Sequence, residues 1–211
     1  MDLDAIQKIA YDLMATKRSH PFKEKGNKYY HGQRVGKLAL TLRNLIFPGD
    51  GSHDAVLVAA AWFHDISNGE AGHARKGAEV TKEVLTPYCT AEELSEICGI
   101  ICVHDDRQPE KPLPDCVKIH QDADLLDHFG TFDIWSTFLY GVSHSETITD
   151  TANIYRNVRP TEYEEYRNQL NFEVSKKIYD EKYEFMRRFG DRFAAESDGE
   201  IWGLESILIE E

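Results

Sequence analysis

Nine histidines and 37 acidic residues are spread along this chain of 211 residues, and two of them stand where chemistry would be expected. His64 and Asp65 are adjacent at the end of Asp54 to Ile66, a stretch so uniformly apolar that it reads as a helix buried on most sides. An imidazole and a carboxylate carried into such surroundings are costly unless both are partnered. A divalent cation partners both at once. Neutral imidazole and ionised carboxylate are ligands that Zn, Mn and Fe(II) accept, and mixed His/Asp sets with open positions suit catalysis more than structure.

Further ligands must come from elsewhere in the chain. His31 follows Tyr29-Tyr30 and opens an expected helix, and Asp124 lies in Gln121-Asp122-Ala123-Asp124-Leu125-Leu126-Asp127, where a carboxylate faces an apolar stripe. These make four candidates from three helices: His31, His64, Asp65 and Asp124. His73, before Lys76-Gly77-Ala78 at a helix start, and His104, at a helix end, could also face a central site. Two readings of that pair stay open, a second metal site or a pair of pocket or capping histidines. His20, His53, His120, His128 and His144 read as structural.

Arg34, one turn beyond His31, and Lys76, one turn beyond His73, are placed to meet an anion at such a site, as is Arg107 in the loop after His104. All three are candidate substrate contacts.

The elements that must position these residues are helical throughout. Apolar residues recur at helical spacing over the first eighteen residues and from Arg34 to Phe47, after which Pro48-Gly49-Asp50-Gly51 is a strong stop. Further helices are expected over Ala74 to Leu85, over Ala91 to Val103 behind a Thr90/Glu93 capping box, and over Asp115 to Tyr140 with a break at Gly130. Gly141 to Pro160 is polar and aperiodic and reads as a long loop that could cover a cleft. Thr161 to about Glu196 has helical spacing again, as one segment packed along the bundle. The expected fold class is all-α, in a single domain over 1–211 with a core at about 29–140 and a C-terminal extension at about 161–196.

With those residues in order, the sequence resembles the HD-domain metal-dependent phosphohydrolases, in an uncharacterised bacterial branch. The resemblance is carried by His31 with Arg34-Val35, Ala60-Ala61-Trp62-Phe63-His64-Asp65-Ile66 and Asp122-Ala123-Asp124, and extends from about Tyr29 to Gly190 through Leu126-Asp127, Gly130 and Phe185-Met186. It implies an HD-type helical bundle, Asp124 as the ligand with Asp122 supporting it, and phosphate chemistry on a nucleotide or small phosphate ester. The divalent ion it implies is Mn, Fe, Mg, Co, Ni or Zn, one or two per chain. Hydrolysis would proceed by water activated at the metal, with Asp65 as ligand and Arg34 and Lys76 orienting the anion. Leu125 and Ser136 stand where that branch commonly carries basic residues, so a nucleoside-triphosphate specificity does not transfer directly. A dinuclear iron oxygenase and a non-catalytic metal-binding regulatory module share the same residues as alternatives.

Composition narrows the partners. A formal net charge of −13 repels phosphate backbones and anionic membrane surfaces, so neither nucleic acid nor membrane is an expected partner; a small phosphorylated molecule is the partner the resemblance implies, and homo-oligomerisation stays open. The chain begins without a basic start and apolar run of the secretory kind, and its longest apolar runs fall far short of the roughly 18 to 20 residues that span a bilayer. A cytoplasmic location is expected. Cys89, Cys98, Cys102 and Cys116 form no Cys-x-x-Cys motif and read as reduced core residues.

Overall fold

The computed structural model describes residues 1–19, 21–204 and 208, and among them every regular element is helical. His20 lies outside the described residues. Contacts divide the chain into two compact units, 1–127 with 168–177 and 128–167 with 178–211.

The first unit is built from α1 (Leu3–Met14), α2 (Asn27–Ile46), α3 (Asp54–Phe63), α4 (His73–Leu85), α5 (Ala91–Cys102) and α6 (Asp115–Asp127). Helix α3 is its centre, touching α1, α2, α5 and α6 and burying Val56, Leu57 and Ala59 to Phe63. Its uniform apolarity is thereby explained. Helix α2 begins seven residues before the expected Arg34, because Gly26, at φ 75°, turns the chain into the helix and the polar Lys28 and Gln33 dilute the apolar period. His31 therefore lies inside α2 and does not open it. Beside it, a Cβ on Gly32 would sit 2.5 Å from the Ala61 carbonyl oxygen. Only glycine lets α2 and α3 approach this closely.

Helix α5 is headed by the Thr90/Glu93 capping box that the sequence signals. The cysteines are unpaired, but they are not core residues: Cys102 is exposed and the other three are half-buried, and on α5 the buried face carries Leu94, Ile97, Ile100 and Ile101 in place of Cys98 and Cys102.

Helix α6 is buried at every position from Ile119 to Asp127, although five of those nine residues are polar or charged. Two of them hold chain segments in place. The Gln121 amide donates to the carbonyls of Val103 and Asp106, at 2.8 and 3.1 Å, fixing the loop after α5. Asp122 accepts the backbone N–H groups of Asn171 and Phe172, at 2.8 and 3.1 Å, and the Asn171 side-chain amide at 2.8 Å. That cluster explains why Thr161 to Glu196 is not one helix. The chain breaks at 169–172 to reach Asp122, and α10 (Glu173–Ser197) starts immediately afterwards.

The second unit holds α7 (Thr131–Ser143), α8 (Ile148–Asn153), a π-helical turn at Ile154–Val158, α9 (Arg159–Asn168) and the remainder of α10. Gly130, at φ 81°, makes the expected break before α7. The expected loop at Gly141 to Pro160 is instead largely helical. Its signal is a second capping box, Thr147 with Asp150, and the wider π turn ends where Pro160 has no N–H to donate. Arg159 joins Asp133 at 2.6 Å and Glu162 at 2.8 Å, while Asp180 on α10 receives the Tyr163 hydroxyl at 2.6 Å and the Arg167 guanidinium at 2.8 Å. No helix among the described residues is long and apolar enough to cross a membrane.

Replacing Asp122 with alanine leaves two backbone donors and an amide without their buried acceptor. Urea unfolding of Asp122→Ala should show a loss of about 2–4 kcal/mol, and Asp122→Asn, which keeps one acceptor oxygen, a smaller one. An unchanged midpoint would show that 171–172 is held by other contacts.

Candidate metal centre

The turn that ends α3 delivers His64 and Asp65, α2 delivers His31, and α6 delivers Asp124. His31 Nε2 lies 3.2 Å from His64 Nε2 and 3.0 Å from Asp124 Oδ1, and His64 Nε2 lies 3.5 Å from Asp124 Oδ1 and 3.9 Å from Asp65 Oδ1. All but Asp65 are buried, and Asp65 keeps 15% of its side-chain surface open.

A second group adjoins the first. His73, at the start of α4, and His104, held in the loop that Gln121 fixes, bring their Nε2 atoms within 3.3 Å of each other. Asp65 Oδ1 is 3.9 Å from His104 Nε2. Thus His31, His64 and Asp65 form one cluster able to hold a metal, and Asp65, His73 and His104 another, with Asp65 common to both.

The other ring nitrogen of each imidazole decides what these clusters can do. His64 Nδ1 donates to the Ala61 carbonyl at 2.8 Å, and His104 Nδ1 donates to the Ile101 carbonyl at 2.7 Å. A carbonyl can only accept, so in the neutral rings the proton sits on Nδ1 and Nε2 presents a lone pair. His31 Nδ1 is held in the same way by Asp127 Oδ2 at 2.8 Å. Lone pairs and carboxylates converging in a dry place repel one another unless something positive lies between them. Ligands to one ion with bonds of about 2.0–2.2 Å sit roughly 3–3.5 Å apart, close to the separations seen here. The donor set fits a divalent cation.

The same demand appears as a demand for protons. Burial disfavours the charged form of His31, but the hydrogen bonds it donates to Asp124 and Asp127 outweigh it and hold its pKa at about 9. For His64 burial is likewise overcome, by Asp65 and Asp124, so its pKa is raised; burial and the neighbouring His64 lower that of His104. Burial would raise the Asp65 pKa, yet His64 and His31 keep it below the ordinary carboxylate value.

The three cationic candidates are placed differently. Arg34 is forked onto Asp127, with its Nε at 2.9 and 3.1 Å from the two oxygens and Nη2 at 2.8 Å from Oδ2, so it reaches the cluster through the residue that orients His31. Arg107 contacts Asp124 directly through Nη2 and Oδ2. Lys76 pairs with Glu70 at 3.1 Å and is half-exposed.

Two residues beside the cluster, Asp127 and Lys28, were not among the candidate site residues, and His120, read as structural, stands against it. Asp127 had a signal, its position three residues after Asp124 on the same buried helix. Lys28 lies one turn before His31 and donates to the Asn68 carbonyl at 2.5 Å, while the Asn68 amide donates to Asp65 Oδ2 at 2.7 Å. His120 is fully buried, stands edge-on to His64 with ring centroids 5.1 Å apart, and has no hydrogen-bond partner on either ring nitrogen among the described residues. Burial, followed by the His64 charge, sets its pKa well below the usual histidine value, so it is neutral.

Two outcomes follow for the metal-free protein. Folding raises the His31 pKa from 6.5 to about 9, so this group's stabilisation is complete below pH 6.5 and is lost as pH rises through about 9. The thermal midpoint should fall across that window, and saturating Mn should flatten the decline by taking the proton's place; a midpoint rising over the window contradicts the assignment. His120→Leu removes two unpartnered polar atoms at nearly the same side-chain volume and should raise metal-free stability by about 1 kcal/mol in chemical denaturation. Destabilisation there would mean that the ring nitrogens are satisfied in solution.

Comparison with known proteins agrees with this geometry. Residues 29–128 match the HD domain family, a span that contains His31, His64, Asp65 and Asp124. Among solved structures, the chain is similar to an HD-superfamily hydrolase from Bacillus thuringiensis at 21% identity and a TM-score of 0.69, over 93% of this chain and 96% of that one. It is similar to Bacillus subtilis YpgQ in complex with ADP at 18% identity and a TM-score of 0.66, over 96% of each chain. A predicted HD-superfamily hydrolase from an uncultured Thermotogales bacterium shares 23% identity over 92% of each chain, with a TM-score of 0.62. No match is found among curated proteins. An all-helical fold, an ordered His, His-Asp, Asp series drawn to one point, and a family match that spans that series identify residues 29–128 of this chain as an HD domain.

Proposed function

We propose that the chain is a metal-dependent phosphohydrolase acting on a nucleotide or small phosphate ester. The observation that carries this reading is the convergence of three Nε2 lone pairs, their Nδ1 atoms all tied to acceptors, on the carboxylates of Asp65 and Asp124. His31, His64, Asp65 and Asp124 would hold one divalent ion, and Asp65, His73 and His104 a second. A cation held there supplies an acidified water and countercharge for phosphoryl oxygens.

The chain's own residues supply the remainder. Asp127, pinned by Arg34, keeps the His31 proton on Nδ1, so Arg34 is a positioning residue. Arg107 bridges from the loop after His104 to Asp124 and is placed to exchange part of that contact for a substrate oxygen. Lys76, on the first turn of α4, would be a peripheral contact exchanging Glu70 for the anion. The ADP held by the Bacillus subtilis relative supports nucleotides as a substrate class. The acidic surface favours a small-molecule partner over nucleic acid or membrane, and four unpaired thiols suit the reducing cytoplasm. Because Asp65 is shared by two clusters, a dinuclear iron oxygenase is the second reading, and substrate-dependent O₂ uptake by iron-loaded protein would mark it.

Purified protein loaded with Mn, Mg, Co, Ni or Fe should release phosphate from some member of a panel of nucleotides and esters. Asp65→Ala should abolish both metal binding and release with helicity retained, and undiminished turnover by that variant would sink the mechanism. His104→Ala should lower the bound Mn by about one ion per chain and leave the first in place. An unchanged stoichiometry retires the second ion.

A further inference from the structure

A cavity of about 460 Å³ in the first unit adjoins the metal centre through consecutive residues: Asp65 is a ligand candidate, and Ile66 and Ser67 line the cavity. Its apolar lining comes from Leu13 and Met14 at the end of α1 and from Val80 and Val84 on α4. Its charged lining is Lys17, Arg18 and Lys28, and the one carboxylate among its described lining residues, Glu70, is already paired with Lys76. Three cations around one cavity are unexpected on a chain of net charge −13. A larger cavity of the same unit, about 570 Å³ beside His53 and Leu57, offers no such excess, because its Arg43 is forked onto Asp54 and its His53 meets Glu96 at 2.8 Å.

Lys28 connects the cavity to the metal centre. It precedes His31 by three residues, about 4.5 Å along the helix, and its ammonium reaches Asn68, whose amide holds Asp65. Burial, together with repulsion from Lys23 and Lys17, pulls its pKa below the ordinary lysine value against the opposing pull of Asp65 and Glu70. An anion in the cavity relieves that crowding.

We propose that this cavity is an anion subsite of the metal centre, taking a second negatively charged group of a substrate whose reacting phosphate lies at His31, His64, Asp65 and Asp124. The substrate class is then an organic diphosphate or bisphosphate, its second anionic group against Lys17, Arg18 and Lys28 and its carbon framework on the apolar wall. The inference rests on the phosphohydrolase reading above, but its test does not need turnover.

Calorimetric titration of the Mn-loaded protein with α,β-methylene-ADP and with AMP compares two ligands that differ by one phosphate and resists hydrolysis of the first. The diphosphate should bind about tenfold more tightly than AMP, and Lys17→Glu with Arg18→Glu should erase that preference while leaving AMP affinity within about twofold. Both substituted residues are exposed, so folding should be unaffected, and Lys28→Gln gives an independent variant with the same expected direction. Equal affinity of the two ligands in the wild type, absence of binding, or a preference that survives charge reversal overturns the subsite. A preserved, charge-dependent preference without phosphate release from any organic phosphate overturns the phosphohydrolase reading and leaves the subsite standing.

Discussion

Negative charge and lone pairs gathered out of water are the condition around which the first unit is organised. Asp124 and Asp127 are buried on α6 and Asp65 is nearly so, while His31, His64 and His104 turn nitrogens toward them. Left uncompensated, such a group would oppose folding by far more than the few kcal/mol that a domain has in reserve. The chain supplies positive charge of two kinds. Arg34 on Asp127 is permanent and leaves the ligand atoms of Asp124 and Asp65 untouched. Arg107 on Asp124, and protons on His31 and His64, occupy the place that a cation would fill, so they are exchangeable by nature.

That division explains the composition of α6. A buried helix with five polar or charged residues in nine would be a poor core element if the residues were independent. They are instead assigned one task each: Gln121 holds the loop that presents His104, Asp122 holds the chain at 171–172, Asp124 faces the cluster and Asp127 fixes the His31 ring. His120 alone of the five has no hydrogen-bond partner among the described residues, and it stands against His64.

Much of this was legible in the residues. The apolar run of α3 with His64-Asp65 at its end announces a buried pair in need of a partner, and Thr90/Glu93 and Gly130 mark real boundaries. What could not be read was whatever depended on residues far apart in sequence. The break at 169–172 exists because Asp122, some fifty positions earlier, accepts two of its N–H groups, and no local pattern carries that information. The same applies to Arg34, whose helical position allowed an anion contact but whose partner proved to be Asp127. The helix within Gly141 to Pro160 was missed for a local reason, since a short capped helix followed by a π turn has too few turns to display a period.

The Ala61 carbonyl lies against Gly32, where no larger residue fits, and it also accepts the His64 Nδ1 proton. One oxygen is thus both a packing surface and the group that selects a tautomer. In evolutionary language, the chain has coupled a steric trait to an electronic one, so the two cannot drift separately. A lineage that widened the α2–α3 gap to admit a side chain at position 32 would also have to find a new acceptor for the imidazole. Redesign of this interface for stability alone would, for the same reason, change the donor chemistry of His64 without touching any residue of the candidate metal cluster.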